Sequence, residues 1–261
     1  MKNYKEHYSL CRELYRGVSN KSLYNISLKE NCVELDHSDL NEITGDIKSH
    51  FEQNHDIAHS RWAKYVNDFG SIPKLNVFCR SIIGQLEEQY FNSFVKIENL
   101  HILQNKLDAP LESSWIWHYD DCPKEFLKFA VYLNDVDENN GPMVFVKGPA
   151  NSTPVIQTFR DHPGAVKGYP PPIFPKSRVP QEFVDKVISE GGHIKKIIGK
   201  AGTNFLFTPN IIHKGSTPAI GSTPRLAIFM FVRPCTRKIK DLISIAKPKK
   251  ANVNVKKYQL D

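Results

Sequence analysis

From about residue 92 the chain becomes a series of short apolar runs: NSFVKIENLHILQN, SSWIWHY, EFLKFAVYLN, PMVFVK, HIKKIIG, TNFLFT and RLAIFMFVRP. Runs this short, rich in Val, Ile and Phe and parted by Gly, Pro, Asn and Asp, read as strands. Many short strands in sequence can bury their apolar faces only by packing two sheets together or by closing into a barrel. Asn140-Gly141, between two of the runs, is a tight-turn signal. Upstream the texture is helical. SDLNEITGDIKSHFEQ opens on a cap at Ser38 and carries Leu40, Ile43, Ile47 and Phe51 at helical spacing. DIAHSRWAKYVNDFG and KLNVFCRSIIGQLEEQY continue in the same style.

The expectation is an α+β protein of 261 residues in a single domain, 1–261. Residues 1–91 would be mostly helical and 92–235 a β double layer, with a basic tail at 236–261. A Pro- and Gly-rich insertion at 148–192 reads as a lid, since so long a loop is unusual inside a compact domain. Its last part, QEFVDKVISE, reads as a short helix stopped by Gly191-Gly192.

A hydrophobic content of 40% argues for a globular chain rather than a disordered one. The net charge of +7 owes much to the tail, which reads as a solvated terminus or an arm for an anionic partner. No recognition motif supports nucleic-acid binding. The five cysteines are widely spaced without a CxxC pair, which suggests neither a disulfide framework nor a zinc knuckle. With no apolar signal core and no run of membrane-spanning length, a reducing cytoplasm is expected and no membrane partner.

Three spacings could mark a metal site. His55 and His59 would share a helix face, but DIAH lacks the glutamate of an HExxH zinc helix, so a solvated face is the expectation. Asp161-His162 are adjacent in the insertion and ill placed to share an ion, so a loop or substrate contact is expected there. His118 and Asp120, in WHYDD, stand two apart and would point the same way on a strand, at a metal or simply at a polar strand end. The candidate third ligand is His213, which ends the apolar stretch FLFTPNIIH. Twelve residues further on, Arg225 heads the most hydrophobic run, where a desolvated guanidinium needs an anion. Two neutral imidazoles and a carboxylate leave positions open on a metal, the ligand set of non-haem Fe(II) oxygenases. A neighbouring Arg offers a fork for the far carboxylate of a dicarboxylic co-substrate.

In this order WHYDDCP, FLKFAVYLNDVDENNGPMVFVKGPANS, GTNFLFTPNIIHKGSTP and RLAIFMFVRP resemble the phytanoyl-CoA dioxygenase-like Fe(II)/2-oxoglutarate-dependent oxygenases, over roughly residues 92–235 without most of the insertion. The resemblance implies a double-stranded β-helix, a jelly roll of cupin type flanked by helices. It implies that His118, Asp120 and His213 ligate Fe(II) and that Arg225 binds the distal carboxylate of 2-oxoglutarate. The family often has a small hydroxyl residue two beyond the distal histidine. Here that position is Gly215, followed by Ser216 and Thr217, and Ser216 and Gln104 are the further co-substrate candidates. The exit from the VFV strand reads KGPANS where the family has a PGSH-like sequence, so the histidine of that exit is absent.

The implied reaction consumes O2 and 2-oxoglutarate, releases succinate and CO2, and oxidises a C–H bond of a small-molecule or carrier-linked substrate, most simply by hydroxylation. Desaturation, cyclisation and epimerisation at the same iron are the alternatives, and a jelly-roll binding protein without catalysis is the reading from another class. Related halogenases have a small residue in place of Asp120, so halogenation is not expected. Arg160, Lys167, Tyr169, Lys176 and Arg178 of the insertion point to an anionic substrate, or to a solvated loop. Tyr119 is expected to pack on the side opposite His118, and Asp121 to point away from the metal.

Overall fold

A computed structural model describes residues 4–15, 32–35, 41–53, 57–59, 63–66, 68–72, 74–111, 113–120, 125–148 and 178–245. The helices are α1 (Tyr4–Leu14), α2 (Asn41–Glu52), α3 (Leu75–Leu86), α4 (Gln181–Ser189) and α5 (Leu242–Ile245). The strands are β1 (Cys32–Leu35), β2 (Ile57–His59), β3 (Ala63–Val66), β4 (Phe94–Asn105) and β5 (Leu127–Tyr132), followed by β6 (Met143–Lys147), β7 (His193–Ile197), β8 (Asn204–Phe207), β9 (His213–Gly215) and β10 (Leu226–Cys235). They form a large antiparallel sheet in the order β1-β8-β5-β10-β4-β3-β2 and a small one in the order β7-β6-β9.

The central strands of the large sheet are covered on both faces, which is why RLAIFMFV and FLKFAVYL read as nearly unbroken apolar runs. Successive side chains of a strand point to opposite faces. Leu127, Phe129 and Val131 of β5 and Leu226, Ile228, Met230 and Val232 of β10 therefore join a core with Ile43, Ile47 and Phe51 of α2 and Phe78, Ile82 and Ile83 of α3. Burying each such side chain contributes about 1.5–3 kcal/mol. The helix α3 presents Leu75, Phe78, Cys79, Ile82, Ile83 and Leu86 on one stripe to this core. A π-helical turn, Glu87–Phe91, and Asn92 at φ 47° then swing the chain into β4.

The alternate residues face the small sheet. Ala130, Tyr132, Phe205, Phe207 and Ala227 pack there against Met143, Phe145 and Ile197. Between the two sheets the Tyr132 hydroxyl donates to the Ile197 carbonyl at 3.0 Å and accepts from the Met143 N–H at 3.1 Å.

Two stretches differ from the sequence-based expectation. In DIAHSRWAKYVNDFG, residues 57–59 and 63–66 are strands, not helix, because β3 finds a ladder along the open edge of β4 (Ala63 opposite Asn105, Tyr65 opposite Leu103) and β2 adds to it. Within SSWIWHY, Ser113–Trp115 is a 3-10 turn, and His118 makes only isolated bridges to Arg178 and His213. The Asn140-Gly141 corner is tight, with Gly141 at φ 83°, but it carries the chain from one sheet to the other rather than closing a hairpin. A Cβ at Gly141 would lie 2.5 Å from the Ser216 carbonyl oxygen, so only glycine fits. Among the described residues no helix is long and apolar enough to cross a membrane. Residues 149–177, with Arg160, Asp161, His162, Lys167, Tyr169 and Lys176, lie outside the described residues, as do His55, Asp121 and 246–261.

Candidate metal centre and adjoining cleft

His118 and His213 meet because their backbones pair. The His118 N–H donates to the His213 carbonyl at 3.0 Å and the His213 N–H to the His118 carbonyl at 2.9 Å. The two imidazoles lie 4.3 Å apart between centroids. Each ring uses Nδ1 on a carbonyl two residues back, Ile116 at 2.9 Å and Ile211 at 2.7 Å. Donation from Nδ1 fixes the tautomer in which Nε2 carries a lone pair. Asp120 Oδ2 lies 3.7 Å from His213 Nε2, and one ligand atom from each of His118, Asp120 and His213 falls within 4.8 Å of the others. Trp117 and Tyr119, one residue out of step, turn the other way. They pack with Val144, Val146, Val179, Phe183, Val184, Val187 and Ile212.

The electrostatics suit a cation. Burial, reinforced by Lys128, pushes His213 down to about 4. Burial beside His213 takes His118 well below its ordinary value. Burial pushes the Asp120 carboxyl up, but the Lys128 ammonium and the two imidazoles outweigh it and hold the group well below the usual carboxylate range. Near neutral pH the trio is therefore two neutral imidazoles and one carboxylate. Such donors hold a divalent transition ion without filling its coordination sphere.

A cleft runs from this trio along the inner face of the large sheet. Its lining includes Tyr65, His101, Leu103, Asn105, Trp115, Lys128, Gly215, Arg225, Phe229 and Phe231. Arg225 is buried, with Nη2 on Asn105 Oδ1 at 3.2 Å, while Nε and Nη1 have no hydrogen-bond partner. A desolvated guanidinium with two unpaired edges is a fork made for a carboxylate. A Cβ on Gly215 would stand 3.0 Å from the Trp115 ring and 3.5 Å from Arg225 Nη2, so the missing side chain leaves the fork open.

The structure thus brings His118, His213 and Arg225 into the lining of one cleft, with Asp120 beside His213 and Lys128. Gln104 sits one residue out of step with the cleft-lining Leu103 and Asn105 and is not among the lining residues. Ser216 also lies outside the lining, its N–H donating to the Pro142 carbonyl at 3.0 Å. Asn105 and Lys128 were not foreseen. The only sequence signal for Lys128 is a charge inside an apolar strand, LKFAVY, and Asn105 follows the foreseen Gln104 directly. Arg178, the described one among the basic residues named in the insertion, pairs its backbone with His118.

No family model matches the chain. In sequence it is similar to the L-proline trans-4-hydroxylase of Streptomyces griseoviridis, 25% identical over 163 residues, covering 58% of this chain and 59% of that one. It is also similar to the ectoine dioxygenase of Bordetella bronchiseptica, 32% identical over 119 residues, covering 44% of this chain and 36% of that one. The chain thus spans little more than half of one relative and about a third of the other. In structure it matches the epimerase SnoN from nogalamycin biosynthesis, solved with Fe3+, alpha ketoglutarate and nogalamycin RO. The TM-score is 0.55 at 15% identity, over 91% of this chain and 93% of that one. The likeness to SnoN bears out the expected jelly-roll fold, and the sequence relatives carry the names of a hydroxylase and a dioxygenase.

Proposed function

We propose that the protein is a non-haem Fe(II)- and 2-oxoglutarate-dependent dioxygenase, with His118, Asp120 and His213 as the iron ligands and Arg225 as the anchor of 2-oxoglutarate. The observation that carries this reading is the conjunction of an imidazole–carboxylate–imidazole trio with a buried, half-unpaired arginine in one cleft. Neither is explained by packing alone, since both leave polar atoms buried at a cost.

Iron, once bound, supplies the activation of O2 that lets 2-oxoglutarate be decarboxylated to succinate while a substrate C–H bond is oxidised. The chain's own part is binding and orientation. Ile116 and Ile211 fix both imidazoles through Nδ1, and Asn105 holds one edge of Arg225 so that the others face the co-substrate. The walls of Phe207, Phe229, Phe231 and Trp115 exclude water from the reacting centre. The substrate is a small or carrier-linked molecule bearing an anionic group, which Lys128 and Arg178 beside the centre would favour, and hydroxylation is the simplest outcome. Desaturation, cyclisation and epimerisation would use the same residues, and product analysis separates them. A binding protein without catalysis would have no use for the trio. A reducing cytoplasm is the compartment of this reading; among the described residues Cys11, Cys79 and Cys235 are buried free thiols.

Anaerobic titration with Fe(II) and then 2-oxoglutarate tests the reading, followed by assay of succinate on admitting O2. His213→Ala should lose iron binding, whereas Arg225→Ala should keep iron and lose 2-oxoglutarate. Iron and succinate formation surviving in His213→Ala would overturn the assignment.

A further inference from the structure

Lys128 is a buried lysine on the apolar strand β5. The ammonium lies 2.5 Å from Asp120 Oδ2, 4.2 Å from the centre of the Phe231 ring and 5.5 Å from that of Phe207. Lysine is almost never buried without a partner. Asp120 is that partner, and a metal held by the trio would draw on the same carboxylate.

The register of the sheet places Lys128 relative to Arg225. Lys128 is opposite Phe231 on β10, and Arg225, Phe229 and Phe231 all line the cleft. Six residues of extended strand separate Arg225 from Phe231, roughly 20 Å at about 3.3 Å per residue. The two cations therefore stand at opposite ends of one sheet face. Gly215 adjoins the Arg225 end, while His213 and Asp120 lie toward the Lys128 end. A dicarboxylate reaching from Arg225 to the metal uses the first cation and leaves the second.

Charge decides what the second cation is for, given the oxygenase reading above. Iron contributes two positive charges and 2-oxoglutarate two negative ones, so they cancel. Asp120 offsets one of the two cleft cations. Among the described lining residues there is no carboxylate, and Arg178 adds a further cation near the centre, so the described residues leave a positive surplus. A desolvated surplus charge is costly, and a negative charge on the next ligand lowers that cost.

We infer that Lys128 selects the substrate: its ammonium binds one carboxylate of a small organic acid seated at the aromatic end of the cleft. The aliphatic or aromatic body of that acid packs on Phe207, Phe229 and Phe231. Because the ammonium touches a metal ligand, the carboxylate sits close to the metal, and the C–H bond oxidised lies within a few bonds of it.

The test uses the full chain loaded with Fe(II) and 2-oxoglutarate without O2. Thermal stabilisation is read for a panel of small carboxylic acids, each paired with its carboxamide. Acids should stabilise where their amides do not. In Lys128→Met, which keeps the length of the apolar stem, affinity for the stabilising acids should fall at least tenfold while iron and 2-oxoglutarate still bind. Lys128→Arg should retain the preference for acid over amide. Equal stabilisation by acids and amides, or by no acid at all, would overturn the inference. So would a Lys128→Met variant that loses iron itself, since Lys128 would then serve only to hold Asp120. Failure of the unaltered chain to bind iron or 2-oxoglutarate, seen before any acid is added, would instead remove the oxygenase reading and this inference with it.

Discussion

Asn105 holds Arg225 at two levels. Its backbone N–H donates to the Arg225 carbonyl at 3.0 Å, and its side-chain oxygen accepts from Nη2 at 3.2 Å. The Asn105 amide nitrogen in turn donates to the Gly141 carbonyl at 3.4 Å, and the Arg225 N–H to the Asn140 carbonyl at 2.9 Å. The Asn140-Gly141 corner, a turn signal in the sequence, is thus also the support of the arginine fork.

Asn105→Ala should therefore weaken 2-oxoglutarate binding by about tenfold, or ~1.4 kcal/mol, through a raised KM with kcat little changed. Asn105→Asp should weaken it further while keeping thermal stability, because a carboxylate there competes with the co-substrate for Arg225. Calorimetric titration of 2-oxoglutarate into the Fe(II) form, without O2, checks both. Equal affinity in the Asp and Ala variants would contradict the role.

Gly215→Val tests the open side of the same fork. A Cβ alone would press on the Trp115 ring and come within 3.5 Å of Arg225 Nη2, and two further methyl groups would crowd the fork itself. The expected outcome is loss of 2-oxoglutarate binding with iron retained, and Gly215→Ala should fall between. Unchanged affinity in Gly215→Val would show that the co-substrate does not approach Arg225 from this side.

Much of this was legible in the residues, and the failures have physical causes. The apolar runs of β5 and β10 announced strands of a β double layer, and an arginine heading such a run announced a need for an anion. The order of His118, Asp120, His213 and Arg225 was legible as a pattern, and the pairing of the His118 and His213 backbones explains why it closes in space. The segments 57–59 and 63–66 were misread as helix because their strands exist only through the edge of β4, a tertiary contact that local spacing does not encode. The expectation named Gln104 and not its neighbour Asn105, because the phase of β4 depends on its partners and a one-residue slip exchanges the faces of a strand. Lys128 drew no expectation from the sequence, where it is one charge inside an apolar run. Its meaning comes from Asp120 and Phe231, which are distant in sequence or on another strand.

In the metal-free protein the two histidines should make stability fall in acid. Burial, aided by Lys128, takes His213 from 6.5 to about 4, and His118 moves the same way. A folded-state value below the unfolded one means that the unfolded chain takes up protons first as the pH drops. Stability is then complete above about 6.5 and is lost progressively down to about 4. The slope is at most about 1.4 kcal/mol per unit for each histidine. Urea midpoints in the presence of a chelator, at pH 7.5, 6 and 5, measure it, and His213→Phe should flatten the profile. A midpoint unchanged from pH 7.5 to 5 would argue against buried neutral imidazoles.

Arg233 should separate stability from function. It is fully buried, with Nε on Glu98 Oε2 at 3.1 Å and Nη1 on the Pro234 carbonyl at 3.1 Å, and Lys96 lies 3.6 Å from the same carboxylate. None of these groups lines the cleft. Arg233→Ala leaves the mostly buried Glu98 carboxylate with Lys96 alone and opens a cavity, so a loss of about 3 kcal/mol is expected. Arg233→Met, paired with Glu98→Leu, replaces the ion pair by apolar packing and should recover most of that loss. Urea unfolding gives both figures, and 2-oxoglutarate affinity below the unfolding transition should be the same in all three proteins. A change in affinity without a change in stability would mean that β10 transmits strain from Arg233 to Arg225, eight residues along the strand.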